Sequence, residues 1–350
     1  MTAPTLPAAP PGALDPLPVA TALMSVDSTS GREGDVVDAA ERILAERGWT
    51  TLRIPVSRGR DDLLATGSPA PLVTLSTHLD TVPPYVPPRL EGGRLYGRGA
   101  CDAKGIAAAM ICAGERLRDA GIPVALLFVV GEETTHDGAH AANQSELAPS
   151  TSRVLINGEP TESVLATGTK GALRFTLRTE GRAAHSAYPH LGRSATAELV
   201  RLLAELEAVP LPRDPVLGDT TINIGVLSGG VADNVTAPAA EARLMARLVA
   251  PADELVALLE RWVADRAVLE PGITVPPVHL GVVDGFPTSV VAFATDIPAL
   301  TRWGTPYLFG PGSIHVAHTA DEYVELAELR AAVDGYVRLA TSALRREERR

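Results

Sequence analysis

Residues 72–80 read Leu-Val-Thr-Leu-Ser-Thr-His-Leu-Asp, residues 124–133 read Val-Ala-Leu-Leu-Phe-Val-Val-Gly-Glu-Glu, and residues 154–159 read Val-Leu-Ile-Asn-Gly-Glu. Within them 72–77, 124–130 and 154–157 are short apolar runs bounded by turn residues, the pattern of a strand covered on both faces. A small-residue stretch of helix length, 104–119, separates the first two. Strand, crossover helix and strand in that order predict parallel pairing, and hence an α/β fold with a mixed, mostly parallel sheet flanked by helices.

Working outward, Ser30-Gly-Arg-Glu33 reads as a capping box opening a helix with apolar positions at Val36, Val37, Ala40, Ile43 and Leu44, ended by Gly48. Residues 1–18 form a Pro/Ala-rich leader without the basic and apolar regions of a secretion signal. After Thr167 the pattern changes. Apolar and polar residues alternate over 171–180, 221–227 and 241–248, with helix-length stretches at 195–209 and 252–269. Strands with one wet face predict a smaller α+β unit inserted into the first domain. The expected division is 1–167 with 281–350 as one domain and 168–280 as the insert, with a last helix over 322–344.

The chain has 350 residues, 42 acidic against 31 basic, a formal charge of −11, and 45% hydrophobic residues. That is ample for a core, and the negative balance disfavours nucleic acid and anionic membrane surfaces as partners. No apolar run approaches the roughly 18 residues of a membrane span. Only two cysteines occur, Cys101 and Cys112, eleven apart, which fits neither a disulfide framework nor a CxxC pair, so a reducing cytoplasm is the expected location.

In an open α/β sheet, ligands bind beyond the carboxyl ends of the strands. The residues there are His78, Asp80, Glu132, Glu133 and Glu159, joined by Asp102 in the Gly-rich segment 97–105 and by His315 and His318 after Gly310-Pro-Gly-Ser313. Imidazole nitrogens with carboxylate oxygens suit zinc and related divalent ions. Two histidines and four or five carboxylates supply three ligands to each of two ions if one carboxylate is shared. An isolated Asp, Glu or His carries little information, but acidic or His residues after three successive buried strands crowd like charges at one sheet edge, which cations or protons must offset.

HLDTVP, GRGACDAKG, GEE, NGEP, GRAAHSAYP and GPGSIHVAHTADEYV, in this order, resemble the M20 family of dinuclear zinc aminoacylases and carboxypeptidases, nearest to the branch of acetylornithine deacetylases and amino-group-carrier lysine and ornithine hydrolases. The resemblance implies a zinc-peptidase catalytic domain with an inserted dimerisation lid. It implies two zinc ions, replaceable by cobalt. One is held by His78, Asp102 and Glu159, and the other by the shared Asp102 with Glu133 and His318. Asp80 would orient the His78 imidazole, Glu132 would be the general base, and His185 would reach a partner subunit's site to stabilise an oxyanion. Asn234 and the loop with Gly310, Gly312 and Ser313 would meet the substrate carboxylate. Arg243 and Arg247 stay unassigned, because the Asp of the family's lid motif is missing. His136, His140, His190 and His279 read as surface or packing residues.

The expected function is removal of the acyl group from a small N-acyl amino acid by a homodimer. A carboxypeptidase or dipeptidase is the alternative within the family, and a catalytically inactive ligand-binding homologue the alternative outside it.

Overall fold

The computed structural model describes residues 15–349. The leader expected over 1–18 therefore lies outside the described residues as far as residue 14, and its last part is helical. Helix α1, Pro16–Met24, starts on an Asp15 cap whose carboxylate accepts from Leu17 N at 3.2 Å, with Pro16 in the first turn where its missing N–H costs nothing.

Helix α2, Gly34–Glu46, follows, but not through a capping box. Glu33 is fully buried and its carboxylate takes Arg60 Nε and Nη2 at 2.9 and 3.0 Å, while Ser30 Oγ donates to Asp80 Oδ2 at 2.7 Å. Both candidate capping side chains are thus committed to long-range partners. The helix does end where Gly48 permits a left-handed turn at φ 76°.

Strands β1, Thr50–Ser57, and β2, Arg60–Thr66, form a hairpin that sequence reading misses. Then come β3, Val73–His78; helix α3, Lys104–Asp119; β4, Val124–Val129; helix α4, Asp137–Gln144; and β5, Val154–Asn157. The second unit supplies β6, Gly171–Glu180; α5, Ala195–Glu205; β7, Thr221–Gly229; β8, Ala239–Leu248; α6, Ala252–Val263; and β9, Val268–Val275. The chain returns with β10, Thr305–Leu308, and ends in α7, Leu326–Glu347.

The large sheet runs β1-β2-β4-β3-β5-β10. Pairs β3/β4, β3/β5 and β5/β10 are parallel; the β1/β2 hairpin and its junction with β4 are antiparallel. From β3 the chain crosses to β4 on one side and then to β5 on the other, so the strand order reverses at the carboxyl end of β3, the place where open α/β sheets bind ligands. Register makes those ends level, with His78 opposite Val129 and Ser76 opposite Asn157. Helices α1, α3 and α7 cover one face, with Val19, Leu23, Ile106, Met110, Leu329 and Tyr336 in its core.

The chain separates into two compact units. One comprises the residues up to Ala166, Leu280–Ser289 and those from Thr295 on; the other comprises Thr167–His279 and Val290–Ala294. In the second unit an antiparallel sheet, β7-β8-β6-β9, buries Leu173, Phe175, Leu177, Leu244 and Leu248 against Leu199, Leu203, Leu255 and Leu259 of α5 and α6. The helix expected over 252–269 stops at Val263, and Val268 already belongs to β9, an edge strand that tolerates Pro271 at an irregularity in its pairing. The last helix starts at Leu326 and not at 322, because Tyr323–Glu325 is extended and pairs with Arg94–Tyr96.

Gly105, in the first turn of α3, is forced by a close approach: a Cβ there would stand 2.1 Å from the Ala100 carbonyl oxygen, whereas one on Gly225 would meet nothing nearer than 3.5 Å. Gly105→Ala is expected to cost about 1–3 kcal/mol or more, and Gly225→Ala less than about 0.5 kcal/mol. Thermal unfolding midpoints compare the two; equal shifts would refute the crowding at Gly105.

Candidate metal centre

His78 is the last residue of β3 and is fully buried. Its Nδ1 lies 2.9 Å from the main-chain oxygen of Asp80, and an Nδ1–H donated to that carbonyl fixes the ring with Nε2 turned toward the carboxylates. Nε2 faces Asp102 Oδ1 at 3.0 Å and Glu159 Oε2 at 4.0 Å. The other Asp102 oxygen, Oδ2, is 3.1 Å from His318 Nε2, which also stands 3.0 Å from the Glu133 carboxylate. Asp102 therefore stands between two donor groups, His78 with Glu159 and Glu133 with His318. Within each group one donor atom per residue lies within 4.8 Å of the others, so either group could hold a metal ion.

The side chains fit such ions. Glu159 is buried and its Oε1 has no hydrogen-bond partner among the described residues, a cost that cation binding relieves. His318 has φ 64°, a conformation that residues with a side chain adopt rarely. The charges also need an offset. Burial pushes Glu132 well above the usual carboxylate range, with the neighbouring Glu159 adding to it, and burial likewise raises Glu133 and Glu159. At Asp102 burial works in the same direction, but hydrogen bonds with His318 and His78 outweigh it and hold the carboxyl low. Conversely, hydrogen bonds with Asp102 and Glu133 raise His318 to about 10.

The Asp80 carboxylate faces both His78 and the neighbouring turn. Its Oδ1 is 3.5 Å from His78 Nδ1, while its two oxygens accept from the main-chain N–H groups of Glu132 and Glu133 at 3.0 and 3.2 Å. One buried carboxylate thus caps the Gly131-Glu132-Glu133 turn that follows β4. Behind that turn, Arg60 joins Glu33 to Asp137, with Nη1 2.6 Å from Asp137 Oδ2.

Of the remaining expected residues, Gly310 N–H donates to Thr161 Oγ1 at 3.0 Å and Gly312 N–H to Glu328 Oε1 at 2.9 Å, so both are satisfied within the protein. Ser313 Oγ donates to Glu162 Oε1 at 2.6 Å. His185 and Asn234 are exposed neighbours in the second unit, where Ser186 N–H donates to the Asn234 carbonyl and Val235 bridges to His185. His315 belongs to none of the potential metal-holding groups among the described residues.

Sequence reading passes over two features. His136, expected as a surface or packing residue, has Nδ1 2.9 Å from the buried Asp296 and 3.9 Å from Glu132, forming a third cluster beside the pair of glutamates. His279 does lie at the surface, with Nε2 3.1 Å from Asp214 Oδ2. Arg98 and Glu322 make a buried ion pair at 2.6 Å next to Asp102. The signal for Glu322 is its place in AHTADEYV, four residues beyond His318; nothing in the string reveals its partner.

A family profile described as peptidase family M20/M25/M40 matches residues 74–342. A chain of Paracoccidioides brasiliensis (strain Pb03) named a probable carboxypeptidase is 38% identical over 372 residues, covering 93% of this chain and 84% of that one. The fold is similar to the crystal structure of aminopeptidase PepT from Bacillus cereus, with a TM-score of 0.78 at 18% identity over 94% of this chain and 98% of that one. It is also similar to a Bacillus subtilis protein described as a dinuclear metal binding peptidase from the M20 family, with a TM-score of 0.71 at 14% identity over 95% and 98% of the two chains. With its sheet, its paired donor groups and its matching profile, the chain belongs to peptidase family M20/M25/M40 and is a metallopeptidase or related amide hydrolase.

Proposed function

We propose that the chain hydrolyses the amide bond formed by the nitrogen of an amino acid with a free carboxylate, in a short peptide or an N-acyl amino acid. The observation that carries the reading is the Asp102 carboxylate set between His78 with Glu159 and Glu133 with His318. Those five residues are proposed to hold two divalent cations, zinc or cobalt, which when bound would supply Lewis acidity and favour ionisation of water. Glu132 is the proposed base. Its carboxylate takes a proton from the attacking water as the water oxygen bonds to the amide carbon, and delivers it to the nitrogen when the C–N bond breaks. Asp80 fixes the backbone that carries Glu132 and Glu133. Intact donors and base speak against an inactive homologue.

The names of the 38% identical relatives favour a carboxypeptidase. The match of Ala317-His-Thr-Ala-Asp-Glu-Tyr323 to the deacetylase branch favours an N-acyl amino acid. From the same resemblance, a homodimer through the inserted unit and an oxyanion role for His185, with Asn234, Gly310, Gly312 and Ser313 near the substrate carboxylate, remain part of the proposal. The N–H groups of Gly310 and Gly312 could serve only after leaving Thr161 and Glu328. A cytoplasmic location is proposed from the two unpaired, buried cysteines, and no helix among the described residues is long and apolar enough to cross a membrane.

Zinc-loaded protein is tested on dipeptides, on the same dipeptides with a C-terminal amide, and on N-acetylornithine, N-acetyllysine and other N-acetyl amino acids. Cleavage confined to substrates with a free carboxylate is expected; equal cleavage of the amidated peptides, or of none, contradicts the proposal. Glu132→Gln should keep its metal content and lose kcat by about 100-fold or more. A variant that retains wild-type kcat removes Glu132 from the base role.

Zinc binding should release protons near neutral pH. His318 is held protonated up to about 10, so an ion taking that nitrogen expels the proton, and apparent affinity falls as pH is lowered. Calorimetric titration in buffers of different ionisation enthalpy measures this, and a binding enthalpy independent of the buffer would contradict it.

A further inference from the structure

The short strand Tyr323–Glu325 pairs with Arg94–Tyr96, Tyr323 opposite Tyr96, and this pairing sets Glu322 against the turn that carries Asp102. Glu322 is 1% exposed. Its main-chain oxygen accepts from Gly97 N–H at 3.0 Å. Its Oε2 accepts from Arg98 Nη1 at 2.6 Å, and its Oε1 accepts from the successive main-chain N–H groups of Cys101 and Asp102 at 3.2 and 3.3 Å. Arg98 is also buried, and its main-chain N–H donates to the Val86 carbonyl at 3.0 Å.

We infer that Glu322 is a positioning residue for the shared carboxylate Asp102, fixing the Gly97–Asp102 backbone to the segment that delivers His318. One side chain thereby sets the spacing between two residues that lie 216 positions apart in the chain and whose reactive atoms stand 3.1 Å apart. A carboxylate suits the task because it accepts from two adjacent amides and a guanidinium at once, and such charge-assisted bonds are about twice as strong as neutral ones. An ion pair that served stability alone would have no need to reach the Asp102 amide. The Arg98 guanidinium lies 2.6 Å from it, so Glu322 already has a cationic partner within the protein. The inference rests on the metal reading above, since positioning Asp102 matters to ions only if Asp102 holds them.

The test uses Co2+ as the probe and visible absorption as the readout. The wild-type chain should take up two equivalents. Glu322→Gln, which keeps the size but loses the charge, should weaken at least one of them by about 10–100-fold and change the absorption bands that report on geometry around cobalt. Arg98→Lys, which keeps a cation but not the guanidinium reach, is the second variant and should shift the same bands. If the titrations and spectra of folded variants superimpose on wild type while only their unfolding temperatures fall, Glu322 is a structural ion pair and the inference is overturned. If the wild-type chain itself takes up no cobalt, the metal reading falls and this inference with it.

Discussion

The structure is governed by the cost of bringing Asp80, Asp102, Glu132, Glu133 and Glu159 together at one edge of a buried sheet. His78, Asp80, Asp102 and Glu159 are almost wholly removed from water, and like charges in such a place are tolerated only with opposite charges or protons beside them. The histidines are the offset that the chain itself provides. His78 and His318 stand against Asp102 from two sides, and the resulting attraction raises His318 to about 10. Divalent cations would meet the same demand with more charge, directed to the same oxygens.

Such a site needs a rigid frame, and the frame consists largely of side chains bound to main-chain groups. Asp80 holds two amides of the Glu132-Glu133 turn, Glu322 holds two amides of the Asp102 turn, and Thr161 with Glu328 holds the Gly310 and Gly312 amides. Where Asp80, Glu322 and Glu328 accept, the loops are fixed by charge-assisted bonds. The chain's membership of the M20 family agrees with a hydrolase, and the tasks of the individual groups are those proposed above.

The strands that place the site are legible in the sequence because burial on both faces leaves no ambiguity: 154–157 is predicted and observed as the same strand, and helix 104–119 likewise. The hairpin β1/β2 is not legible. It mixes Thr, Arg and Asp with apolar residues, and its antiparallel pairing is decided by neighbours, with Leu63 to Thr66 lying against β4. The misread capping box fails for a related reason. Ser30 and Glu33 match the local pattern, but Asp80 and Arg60, 50 and 27 residues away, compete for them and win. His78, Asp102, Glu133, Glu159 and His318 are readable as candidates from their positions after strands and in Gly-rich turns. Glu322 and His136 are not, because their partners, Arg98 and Asp296, are known only once the chain is folded.

Everything proposed for the centre depends on Asp102 being shared between two cation sites. Equilibrium dialysis against zinc, with metal counted per chain, tests it most directly. Two ions are expected in the wild-type chain, one in His318→Ala and severe loss of both in Asp102→Ala. A single ion in the wild-type chain, or two retained in Asp102→Ala, would contradict it.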